Sequence, residues 1–177
     1  DKSYASGSPD AGFSIGQCYP CDAIVDNVIS ENNGLGYSGT NSGGSLYITS
    51  SIFRNNKGGL APNTLDSELL PPERETFIIG NLIENNNNNE APATKSTYLS
   101  FGNGVIIAGG NNNIIKNNVI ANHNLYGVIL TAAADVNYWP AHGNRVEDNL
   151  ILSSKRADLA VSGISNLANC FEGNYFN

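Results

Sequence analysis

The chain has 177 residues, a formal net charge of −7 and 40% hydrophobic residues, enough apolar content for the core of one folded unit. Its acidic balance, with no cluster of Lys and Arg to neutralise phosphates, argues against a nucleic-acid partner. No apolar run of about 18 residues occurs, and Asp1 to Asp10 have neither a basic nor an apolar leader region, so membrane insertion is not expected.

In chain order, Gly12-Phe13-Ser14-Ile15 is the first strand-like run. Cys18-Tyr19-Pro20-Cys21 follows; a small disulfide loop, two packed thiols or half a zinc site would each fit it. From residue 23 the sequence repeats. The segments AIVDNVI (23–29), YITSSIF (47–53), FIIGNLI (77–83), IIKNNVI (114–120), RVEDNLI (145–151) and CFEGNYF (170–176) place Asn27, Ser51, Asn81, Asn118, Asn149 and Asn174 in one column. Ile24, Ile48, Ile78, Ile115, Val146 and Phe171 stand three places before it. Ile29, Phe53, Ile83, Ile120, Ile151 and Phe176 stand two after, and the column between is also apolar.

Copies are 24, 30, 37, 31 and 25 residues apart, inside the range of roughly 20 to 50 that marks stacked repeats. No copy has a helical period; β-branched and aromatic residues in short runs broken by Gly and Asn are strand and turn chemistry. A second strand follows eight or nine residues after the Asn column at Gly36-Tyr-Ser, Gly59-Leu-Ala, Gly127-Val-Ile and Asp158-Leu-Ala. Its third-copy counterpart, Gly104-Val-Ile, comes about fourteen residues late. Within the run Asn85 to Asn89, the repeat therefore claims Asn85 or Asn86, and the rest reads as a solvated excursion.

Short strands stacked about 4.8 Å apart with bends between them give parallel sheets with side chains in columns. Asn suits the bends, since it tolerates the left-handed conformation and its amide can bond the same amide one coil away. The expectation is an all-β, right-handed parallel β-helix of about five to six coils over residues 1–177, with long loops at one corner, as part of a longer solenoid. Repeats such as N-N-V-I-x-x-N followed by G-V-I resemble the right-handed parallel β-helix proteins of the pectate-lyase-like superfamily. That resemblance covers nearly the whole chain and implies the fold, and among activities it implies lyases, hydrolases, epimerases, tailspikes, adhesins or copper delivery.

The register also predicts contacts. Arg54 with Glu84, and Lys116 with Glu147, fall in shared columns and should form outward ion pairs. Ser3 falls near the missing first Asn-column position, and open coil ends point to an excised piece or to self-association through the ends.

Two long excursions, 62–75 and 132–143, leave the same corner of coils two and four, with a short connection 108–112 between them. Two walls around a low coil imply a groove holding Asp66, Glu68, Glu73, Arg74, Asp135, Tyr138, Trp139 and His142. Such a set suits a polysaccharide: Tyr138 and Trp139 to stack on sugar rings, Arg74 and Asp135 to bond them, and Asp66, Glu68 and His142 as candidates for acid and base catalysis by a lyase or glycoside hydrolase. Against catalysis, Asn63-Thr64-Leu65-Asp66 only loosely resembles the N-T-D of polygalacturonases, and their Asp-Asp, Gly-His-Gly and Arg-x-Lys elements are absent, as is the Asp-Pro-His of alginate epimerases.

His123 reads as an extension of a polar bend, and Cys170 as a core-edge thiol. No metal or cofactor is expected, although Asp135 with Asn137 leaves calcium open. The reading is thus a secreted, periplasmic or cell-surface β-helix that binds or processes polysaccharide. A non-catalytic structural or interaction module of a larger surface protein is the alternative.

Overall fold

The structure, a computed structural model, describes residues 1–163 and 168–176. Its strands form three long parallel sheets, and the chain visits them in turn. The first sheet stacks Tyr4–Ser6, Ile29–Glu31, Ile52–Arg54, Leu82–Glu84, Val119–Ala121, Leu150–Leu152 and Tyr175–Phe176. Ala11–Ser14, Leu35–Thr40, Gly58–Asn63, Val105–Ala108, Tyr126–Thr131 and Ala157–Ser162 make the second. The third comprises Ala23–Asp26, Gly43–Thr49, Arg74–Ile79, Ile114–Lys116, Arg145–Glu147 and Cys170–Glu172. Each strand of these three sheets pairs with the equivalent strand one coil away, so the fold is a parallel β-helix. Among the described residues, no helix is long and apolar enough to cross a membrane.

The interior is a set of single-file columns. Ile48, Ile78, Ile115 and Val146 are register partners and fully buried. Phe53, Ile83, Ile120 and Ile151 form a second file, and Tyr37, Leu60, Val105 and Val128 a third. Removing any one of these side chains opens a cavity that the coils above and below cannot fill, a loss of about 2–5 kcal/mol for Ile→Ala.

Coil one departs from the alignment by one residue. Val25, not Ile24, is the partner of Ile48, and Ile24 is 66% exposed beside Tyr47. Val28 accordingly takes the place assigned to Asn27, and Ile29 pairs with Ile52. Ser3 does lie in line with Val28, because Tyr4 pairs with Ile29. The middle apolar column also faces outward: Tyr4, Ile29, Ile52, Leu82, Val119, Leu150 and Tyr175 share one outer file of the first sheet. Tyr4, Val119 and Tyr175 are clearly exposed there.

At the corners, the two properties of Asn are divided between neighbouring residues. Left-handed backbone falls on Asn27, Ser50, Gly80, Asn117, Asp148 and Gly173, each one place before the column that holds Val28 and Ser51 and then continues as a row of amides. In that row, Asn81 Nδ2 donates to Asn118 Oδ1 at 3.0 Å, Asn118 to Asn149 at 2.9 Å, and Asn149 to Asn174 at 2.9 Å. Each amide also donates to an interior carbonyl that turns out of its sheet, such as that of Ile78 for Asn118, so backbone groups that a sharp bend would orphan stay paired. A second corner repeats the device with Asn33, Asn56 and Asn86, and the third with Asn113, Asn144 and Asn169. His123 follows Asn86 in the second row, fully buried, with Nε2 3.3 Å from the Ile83 carbonyl oxygen.

Of the two cross-coil ion pairs, Lys116 meets Glu147 at 3.5 Å and also Asp148 at 3.1 Å. Arg54 is a register partner of Glu84 but turns to Glu31 at 2.7 Å, an acid the coil-one slip had hidden. Cys18 and Cys21 are joined as a disulfide, and Cys170 is a partly exposed free thiol.

Candidate functional site

Both long loops leave the corner between the second and third sheets, but they do not stand apart. The Asp66 carboxylate accepts hydrogen bonds from the Asn137 backbone N–H and Nδ2, each at 2.7 Å, and from the Trp139 indole at 3.0 Å. Asp66 N in turn donates to Asp135 Oδ2 at 3.0 Å. Ala133–Ala134 and Tyr138–Trp139 form a small hairpin that presents these donors. Loop backbone groups off the sheets need partners, and carboxylates supply strong ones. The expected groove over coil three is therefore bridged by a latch, and the donors hold the Asp66 carboxyl below the ordinary range, the Asn137 backbone first among them.

Other residues assigned to that groove lie elsewhere. Arg74 begins the third-sheet strand Arg74–Ile79, with its guanidinium 3.8 Å over the Tyr19 ring and Nη1 donating to Pro72 O. His142 is exposed at the far end of its loop, where its carbonyl accepts from Asn112 N at 2.9 Å. Glu73 points into the solenoid and is completely buried; Thr76 Oγ1 and Asn113 Nδ2 each donate to it at 2.8 Å. Burial pushes its carboxyl up to about 8, against the lowering effect of those two donors and of Arg74. Tyr138 is half-exposed on the hairpin. Of the candidates, Glu68 borders a different concave surface, on the second sheet.

That surface is a groove of about 710 Å³ along the outer face of the second sheet. Its floor follows from strand alternation: Tyr37, Leu60 and Val105 point inward, so the next positions, Ser38, Ala61 and Ile106, point out, with Ser14 in line in coil one. A second outward file is Thr40, Asn63, Ala108 and Thr131. Apart from Ile106, the side chains of both files are small or polar and leave room above the sheet.

One wall is loop 64–73, bearing Leu65 and Glu68. Asn41 holds it, since its Nδ2 donates to Leu65 O at 2.7 Å and its Oδ1 accepts from Leu65 N at 3.0 Å. Gln17 adds a bond from Leu69 N. The opposite wall is the third-copy insertion, which is not a free excursion. After Asn86 it runs back along the axis from coil three to coil one, where Thr94 N donates to Pro9 O at 2.8 Å and Thr97 Oγ1 to the same oxygen at 3.1 Å. Lys57, buried beneath it, donates to Asn89 O at 2.6 Å and lies about 6 Å from the Tyr98 and Phe101 rings, at 6.0 and 5.9 Å. A Cβ on residue 58 would stand 2.6 Å from the Ser100 carbonyl oxygen, so Gly58 lets this wall close on the sheet.

Sequence reasoning missed this groove. The available signal was the late second strand of coil three, read as an excursion rather than as a wall, together with the small outward residues Ser38 and Ala61.

The likeness to known proteins is one of shape. No protein-family model matches the chain, and no curated protein does. Among solved structures, the A-module of the Azotobacter vinelandii mannuronan C-5 epimerase AlgE4 superposes with a TM-score of 0.55 at 15% identity, over 98% of this chain. This chain spans about half of that module, 54% of its length.

Proposed function

We propose that the protein binds a polysaccharide chain along the groove of its second sheet, as a secreted, periplasmic or cell-surface β-helix. The observation that carries the reading is the groove itself: about 710 Å³, lined by residues of successive coils, with hydroxyl and amide side chains interspersed with Ala61, Ile106 and Ala108 in files at the spacing of the coils. A long polymer fits such a surface better than a compact molecule, since the lining extends over successive strands of the second sheet from Ser14 to Thr131. Two further points support it. The solved neighbour of the same fold is a mannuronan C-5 epimerase, and the Cys18–Cys21 disulfide suits an oxidising compartment. Lyase, hydrolase or epimerase chemistry would need an acid and a base within reach of one sugar unit, and Asp10 and Glu68 are the carboxyl groups of the lining.

Calorimetric titration with oligosaccharides tests this, alongside Ala61→Trp and Ser38→Tyr, which fill the floor. Loss of binding in both variants, with unchanged circular dichroism, is the expected result. Binding that survives both substitutions would refute the groove.

A second reading, an interaction module without catalysis, is favoured by the outward apolar file from Tyr4 to Tyr175 on the first sheet. Sedimentation of the protein and of Val119→Lys separates the two: concentration-dependent association lost in the variant would support an interface on that sheet.

A further inference from the structure

The groove carries information on what kind of chain it accepts, and this inference rests on the binding reading above. Among the described residues its ionisable lining groups are two carboxylates, Asp10 and Glu68, with no Lys, Arg or His. Two of the nearby cations are directed elsewhere. Lys57 is buried under the insertion and bonded to the Asn88 and Asn89 carbonyls, and Arg74 is stacked on Tyr19 and bonded to Pro72 O. Lys95 is exposed on the insertion next to Ser96 of the wall, although it is not itself part of the lining. The polar floor is made of Ser14, Ser38, Thr40, Asn63 and Thr131, groups that exchange hydrogen bonds with hydroxyls but do not neutralise charge.

We infer that the groove is selective for an uncharged polysaccharide and disfavours polyuronates, although the solved neighbour of the same fold is a mannuronan epimerase. A polyuronate brings one carboxylate per sugar against Asp10, Glu68 and a protein of net charge −7. It meets no arginine fork to accept it. Neutral sugar hydroxyls can instead donate to those two carboxylates, a charge-assisted bond stronger than one between neutral groups.

Titration of the whole chain with neutral manno-, cello- and xylo-oligosaccharides beside oligomannuronate and oligogalacturonate, at low and high salt, is the experiment. At least one neutral series should bind roughly tenfold or more tighter than either uronate at low salt, because the uronate carboxylates are repelled by Asp10 and Glu68. The gap should narrow as salt screens the repulsion, while neutral binding stays flat. In Asp10→Asn/Glu68→Lys, uronate affinity should rise.

Uronate binding that equals or exceeds neutral binding, and that Ala61→Trp abolishes, would overturn the selectivity and leave the groove standing. Absence of binding by every probe, or binding indifferent to Ala61→Trp, would overturn both.

Discussion

Asp66 and Trp139 are 73 residues apart in sequence, yet the indole N–H donates to the carboxylate at 3.0 Å and joins two loops that leave different coils. Because three donors converge on one carboxylate, Asp66→Ala should release the hairpin: Trp139 emission shifts to the red and proteases cut faster within 132–143. Binding of the glycan should weaken too, since the same loop carries Leu65 and Glu68. The Asp66 carboxyl lies below its ordinary value of 3.8, so the latch is complete above that pH and is lost only as the pH falls through the lower folded value. A Trp139 fluorescence titration showing release already at pH 5 would contradict this.

Glu73 gives the opposite dependence. Its carboxyl is raised from 4.5 to about 8 in the folded chain, chiefly by burial. The unfolded chain therefore releases a proton that the folded chain keeps. Its contribution to stability is full below about pH 4.5 and declines as the pH rises to about 8, by an amount of order a few kcal/mol. Urea unfolding at pH 5 and pH 9 should show Glu73→Gln losing this decline, because the amide still accepts from Thr76 or Asn113 and has no proton to lose.

His123 acts in the acid range. Burial lowers its imidazole from 6.5 to about 4, against the raising effects of the Ile83 carbonyl and Asp158. Above pH 6.5 both states are neutral; as the pH falls from 6.5 to about 4 the unfolded chain gains a proton the folded chain resists, and stability drops. His123→Asn extends the amide row beside Asn86 and removes the titration. Measured against the parent chain, the variant should gain stability at pH 5 that it does not gain at pH 8.

The five consecutive asparagines give an internal comparison. Asn86 is fully buried, donates to Phe53 O at 3.1 Å and accepts from Asn56 N and Nδ2. Asn86→Ala leaves these groups unpaired and should cost about 2–4 kcal/mol. Asn89 has an exposed side chain, and it is its backbone carbonyl that serves Lys57. Asn89→Ala should stay within about 0.5 kcal/mol. Equal melting temperatures for the two variants would count against the amide rows as supports of the corners.

Sequence carried the stacking because residues in register share one environment, so Ile48, Ile78 and Ile115 repeat the same chemistry. Coil one slipped because Ile24-Val25 and Val28-Ile29 are apolar pairs that satisfy either register. The outward file of Ile52, Leu82 and Val119 escaped notice because apolar character does not tell which face of a short strand is covered. The groove was the least legible part. It depends on Thr97 reaching Pro9 across 88 residues, and nothing local to either segment announces that contact. The bridge from Asp66 to Asn137 and Trp139 is also long-range, so of the residues grouped by their loops Asp66, Asp135 and Trp139 bond within the latch while Glu73, Arg74 and His142 lie elsewhere.

The buried amide rows all point the same way. Asn33 donates to Asn56, Asn81 to Asn118 and Asn113 to Asn144, in each case towards the coil that comes later in the chain. Their dipoles therefore add along the axis instead of cancelling, giving the molecule a donor pole and an acceptor pole. Any coil grafted into the stack, or any second solenoid abutting it, preserves these bonds only in head-to-tail orientation.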